Sequence, residues 1–121
     1  MTGTGSDSGS GPPGGIEIVE ICTTFGSADA AEACAQALVR DRLAACGQVD
    51  GPIRSTYWWQ GKVETATEWR CTFKTTVARA AACRDAITAA HPYETPELLF
   101  IRALAAPAYA AWVAASVGEA A

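Results

Sequence analysis

The chain has 121 residues, half of them hydrophobic, with 9 Lys and Arg against 13 Asp and Glu, a single His and a formal net charge of −4. This balance argues against general nucleic-acid binding, because phosphate neutralisation needs a basic face and the Lys and Arg positions supply none. No apolar run reaches the length of a membrane span and the N-terminus lacks the basic and apolar regions of a secretory signal, so the expected compartment is the cytoplasm.

The first fifteen residues, MTGTGSDSGSGPPGG, contain nothing that can form a core. They are expected to be a disordered tail at 1–15, ahead of one domain over 16–121. That domain has room for a single two-layer core. Its five cysteines, Cys22, Cys34, Cys46, Cys71 and Cys83, are odd in number and contain no CxxC pair, so neither a disulfide framework nor a zinc knuckle is expected. Cys34, Cys46, Cys71 and Cys83 read most simply as small buried hydrophobes.

Ile16 to Thr24 reads as a strand, rich in Ile and Val and closed by Thr23, Thr24, Phe25 and Gly26. From Asp29 to about Ala45 the positions Ala35, Leu38, Val39, Leu43 and Cys46 follow helical spacing, with Ser27 or Asp29 as cap and Gly47 beyond the end. Gly51 and Pro52 then lead into a strand over Ile53 to Trp59. The pair Gln60, Gly61 signals a tight hairpin into a second strand, Lys62 to Lys74.

In that second arm Val63, Thr65, Thr67, Trp69, Cys71 and Phe73 alternate without a break against Lys62, Glu64, Ala66, Glu68, Arg70, Thr72 and Lys74. Thirteen extended residues span roughly 43 Å, about twice the usual strand of a small domain. Part of the hairpin must therefore overhang its own sheet. A ribbon carrying Trp58, Trp59 and Trp69 would expose aromatic surface and unpaired backbone unless another subunit covered it, so the three tryptophans are expected at an interface of an obligate oligomer.

Thr75 or Thr76 can cap a second helix through Ala90, with Ala80, Cys83, Ile87 and Ala90 as its apolar face. Glu97 to Ala103 reads as a further strand. Pro107 starts a last helix with Tyr109, Trp112, Val113 and Val117 as one stripe. The order βαββαβ plus a helix is the ferredoxin-like α+β plan, an antiparallel four-stranded sheet with two helices on one face. A doubly wound parallel sheet is disfavoured, since strands joined by two residues can pair only antiparallel.

Several motifs in this order resemble the CutA family of divalent-cation tolerance proteins: Cys22 and Thr23, DRLAAC at 41–46, YWWQGKVE at 57–64, Lys74 with Thr75, HPYETPEL at 91–98, and Trp112. The resemblance covers nearly the whole folded part. It implies a homotrimer with hairpins pairing between subunits, and a protein that binds metal ions, copper especially, rather than an enzyme. Among departures, Gln60 stands where an acidic residue is often found and Ala90 stands where some relatives carry a second histidine, leaving one imidazole per subunit.

On this resemblance Cys22 and His91 are the candidate metal ligands, thiolate and imidazole being suited to copper or zinc. The bland alternatives are a core thiol for Cys22 and a helix-end residue for His91. A second constellation, Lys62, Glu68, Lys74, Tyr93 and Glu97, is a candidate subunit-interface pocket, and the alternative reading is a regulatory or scaffolding trimer that binds an anionic small molecule or a partner protein at such clefts. Glu64 and Arg70 read as a charge-paired strand face. Catalysis is not expected, because no group orients Cys22 or Thr23 with His91 as nucleophile and base.

Overall fold

The computed structural model describes residues 14–119, so positions 1–13 of the expected tail lie outside the described residues. In chain order the elements are β1 (Ile16–Phe25), α1 (Ala28–Arg40), β2 (Cys46–Trp59), β3 (Lys62–Thr75), α2 (Ala80–Ala90), β4 (Leu99–Ala105) and α3 (Pro107–Ser116). The sheet order is β2-β3-β1-β4 with every neighbouring pair antiparallel. This is the ferredoxin-like α+β arrangement expected from the sequence.

Helix α1 starts where Ser27 accepts the Ala30 N–H at 3.1 Å, a side-chain cap that satisfies one free donor of the first turn. It stops at Arg40, short of the expected Ala45, because the chain closes it with a Schellman motif. Arg42 takes a left-handed φ of 58°, its N–H bonds to Val39 O at 3.1 Å, and the Leu43 N–H reaches back to Leu38 O at 2.9 Å. The Arg42 guanidinium also donates to Ser116 O at 2.9 Å, tying this corner to the end of α3.

With the helix ended early, Cys46 opens β2 instead of closing α1. Strand β2 is 14 residues long, and Gly51 and Pro52 form an irregularity within it, between Asp50 and Ile53, rather than its start. Trp69 of β3 lies across this point: a Cβ on Gly51 would fall 2.6 Å from its ring. Only glycine lets the ring approach so closely.

The hairpin turn puts Gln60 at φ 50° and Gly61 at φ 78°, the two positive values of a type I′ turn, whose twist matches the flanking strands. Gln60→Asn is expected to stabilise the protein by about 0.5–1 kcal/mol, since Asn tolerates the left-handed region better. A urea midpoint that stays put or falls would count against that assignment.

The main core lies between one sheet face and the helices α1 and α2. Val19, Ile21 and Phe25 of β1 and Cys71 and Phe73 of β3 meet Ala31, Cys34, Ala35 and Leu38 of α1 and Cys83 and Ile87 of α2. Ala90, expected on the buried stripe of α2, is exposed, and the turn before α2 is held by Thr76, whose hydroxyl accepts the Arg79 N–H. Helix α3 covers one end of the opposite face through Ala110, Val113 and Val117 against Ile18. Its expected stripe is therefore rotated: Tyr109 and Trp112 stay 38% and 48% exposed and pack on each other.

Cys34, Cys71 and Cys83 are buried as expected, whereas Cys46 is only partly so. Burial pushes the Cys71 and Cys83 thiols up from 9.0 to about 12, because a thiolate there would lose its hydration. A raised folded-state pKa gives stability that is complete below the unfolded value and is lost as pH climbs through the folded one. Urea midpoints are accordingly expected to fall from about pH 9 toward pH 12, and less so in Cys83→Ala than in the parent.

Strand β1 pairs with β3 only from Val19↔Thr75 to Phe25↔Trp69, while the β2–β3 ladder continues to Trp59↔Lys62. The outer half of the hairpin is thus a two-stranded ribbon beyond the sheet, as the length argument requires. Trp58 is 73% exposed and its cross-strand partner Val63 59%. Strand β4 forms the other edge of the sheet, with Leu99, Phe100, Ile101 and Leu104 all exposed.

Candidate functional site

Between α2 and β4 the HPYETPEL segment crosses the end of β1. The strand β4 begins at Leu99 rather than the expected Glu97, because this segment is held by side chains instead of a strand ladder. His91 anchors it. The ring is buried, stacked on Phe25 at 4.4 Å with a 13° interplanar angle, and its Nδ1 accepts the Tyr93 backbone N–H at 3.1 Å. That bond places the proton on Nε2, which donates to Thr24 O at 2.7 Å. Both nitrogens are engaged, so a lone pair for a metal becomes free only if the Tyr93 contact opens.

Cys22 sits elsewhere. Successive side chains of a strand point to opposite faces, so Cys22 emerges on the face away from Phe25, Cys83 and Ile87. Its thiol is partly exposed, with the Thr72 hydroxyl 3.7 Å away. Among the described residues the recorded contacts of the two differ, Thr72 for the Cys22 thiol and Phe25, Thr24 and Tyr93 for the His91 ring. Among the described residues no group of three or more His, Cys, Asp and Glu converges to hold a metal ion. A copper or zinc ion would need further donors to complete its coordination.

The second constellation divides. Glu68, Tyr93 and Glu97 line one cleft of about 650 Å³ between the projecting hairpin and the 93–97 segment. The Tyr93 hydroxyl donates to Glu68 Oε2 at 3.0 Å, and its pKa is pushed up to about 12 by burial and by that carboxylate. Lys62 and Lys74 do not line the cleft. Lys74 donates to Gln48 at 2.8 Å across the sheet, and Lys62 lies beside the turn, opposite Trp59. Arg70 pairs with Asp50 at 3.5 Å, a charge-paired strand face of the kind expected for it.

Of the tryptophans, Trp59 borders the cleft, Trp58 projects from the ribbon, and Trp69 packs partly buried against the main core. The cleft also takes in Thr24, Tyr57 and Glu94, which sequence reasoning did not single out. Tyr57 and Glu94 stand inside the YWWQGKVE and HPYETPEL motifs, and that membership was the available signal.

Fold and motifs define a ferredoxin-like α+β domain with a long projecting hairpin. The CutA1 divalent ion tolerance family matches residues 19–116, and the chain belongs to this family. The divalent-cation tolerance protein CutA of Archaeoglobus fulgidus is 42% identical over 76 residues, spanning 63% of this chain and 74% of the relative. The protein of the same name from Salmonella newport is 38% identical over 84 residues, 69% of this chain and 72% of the relative. The crystal structure of CutA from Xylella fastidiosa superposes with a TM-score of 0.80 at 33% identity, covering 83% of this chain and 97% of that one. The family is named for tolerance of cations and not for a reaction.

Proposed function

We propose that this protein binds copper and other divalent cations as a homotrimer, and that this capture is its part in cation tolerance. Cys22 carries the reading: a partly exposed thiol on the sheet face that α1 and α2 leave open, with only a weak contact to Thr72. A soft thiolate favours copper, and one thiolate per subunit is too few. Donors from other subunits must complete the set, which links metal capture to assembly. The overhanging ribbon and the apolar β4 edge supply surfaces that assembly would cover.

The alternative of a regulatory or scaffolding trimer holding an anion at subunit clefts draws no support from this cleft, whose lining among the described residues includes three carboxylates and no basic side chain. Titration of the reduced protein with Cu(I), Cu(II) and Zn(II), with mass by light scattering on the same samples, tests the reading. Saturable binding by a trimer, lost in Cys22→Ser, is the expected result. His91→Ala is expected to weaken binding as well, by loosening the segment or by removing a ligand. A stable trimer with no saturable metal binding, or with unchanged affinity in Cys22→Ser, would refute it.

A further inference from the structure

We infer that α3 is a strap that opens and closes over one end of the sheet as a unit of its own, and that a polar clasp centred on Arg79 and Glu119 sets how often it opens. The device controls the reactivity of the Cys46 thiol beside it and does not depend on metal capture.

Packing holds α3 lightly. Its buried residues Ala110, Val113 and Val117 meet Ile18 and Ala45, with Ala103 and Ala105 partly buried beside them, in a cluster separate from the main core. No side chain caps its first turn, and it has only ten residues, too few for a helix to hold itself together in water. An element with so little buried apolar surface opens at a lower free energy than the whole fold.

The fastening is polar instead, and it gathers at the helix C-terminus. Arg79, in the turn before α2, donates to Val117 O at 3.0 Å and lies 3.7 Å from the Glu119 carboxylate. The Thr76 hydroxyl donates to the same carboxylate at 2.9 Å, and Arg42 holds Ser116 O. Two guanidinium groups at the last carbonyls of a helix also complement its dipole. These ties reach α3 from the chain flanking α1 and α2, so they break without disturbing the main core. Both partners of the ion pair are partly exposed, which leaves it open to screening by salt.

The closed strap covers a thiol. Cys46 pairs with Lys74, two positions beyond Thr72, the partner of Cys22, so both thiols take the same face of the sheet. Cys22 contacts Thr72, whereas the Cys46 sulfur lies 3.8 Å from the Tyr109 hydroxyl of α3. Opening of α3 withdraws that phenol and leaves Cys46 free to meet an electrophile.

Hydrogen exchange by mass spectrometry and iodoacetamide labelling with peptide mapping, on the full chain at one fixed concentration, test the assignment. Amides of α3 are expected to exchange roughly tenfold faster than those of α1. Glu119→Gln should raise both α3 exchange and Cys46 labelling about threefold, an effect of the size of a partly exposed ion pair, and leave α1 exchange and Cys22 labelling unchanged. Asp41→Asn, which removes the same charge from a pair with Arg40 outside the clasp, should change none of these. Raising NaCl to about 1 M should act on the parent as Glu119→Gln does, which provides the same reading without any variant. The assignment is overturned by α3 amides as protected as those of α1, by α1 and α3 loosening together, or by Cys46 labelling that stays fixed while α3 exchange rises.

Discussion

Phe25→Ala is expected to destabilise the protein by about 3–5 kcal/mol, the usual cost of removing a fully buried aromatic ring. Phe25 is 1% exposed and ends β1 opposite Trp69. One side of its ring belongs to the main core and another carries the His91 imidazole. The void cannot collapse easily, because β1 is held on one side by β3 and the segment after α2 is held by His91 and Tyr93. Phe25→Leu should cost less than about 1.5 kcal/mol, since much of the volume is kept. Urea unfolding at one fixed protein concentration measures both, since association would otherwise shift the midpoints. Against a typical total of about 5–15 kcal/mol the alanine change is severe, and a loss below about 1 kcal/mol would contradict the packing described.

The double variant Trp58→Glu, Val63→Glu is expected to abolish assembly. These residues face each other across the ribbon at 73% and 59% exposure, so neither contributes to the fold of the subunit. Two carboxylates directly opposite each other would repel and could not be desolvated at an apolar interface. Light scattering should move from a trimer to the 12.6 kDa subunit, with far-UV circular dichroism unchanged. A parent that is already monomeric, or a double variant that still forms trimers, would remove the proposed role of the hairpin.

Most of the fold is legible in local periodicity. The alternation from Lys62 to Lys74 and the Gln60, Gly61 turn specify the hairpin, and the overhang follows from its length alone. Boundaries were less legible where a residue acts against its type. Arg42 closes α1 in a conformation that usually marks glycine, because Leu43 reaches back to Leu38 and the guanidinium finds Ser116. Tyr109 and Trp112 look like core on an apolar stripe, yet the sheet accepts only the small face of Ala110, Val113 and Val117.

The site was legible as motifs and not as geometry. HPYETPEL and the YWWQGKVE hairpin named Glu68's neighbours without indicating that Tyr93 would bond to Glu68, 25 positions away in the chain. The pairing of Cys22 with His91 likewise could not be judged from their positions. Residue type and spacing within one element were enough for strands, helices, turn and family, since these depend on groups a few residues apart. Which face each thiol takes, which nitrogen of His91 holds the proton and which lysines miss the cleft depend on how β1 is flanked by β3 and the 91–98 segment. Those are contacts between distant parts of the chain, and only the packed sheet and helices bring them into being.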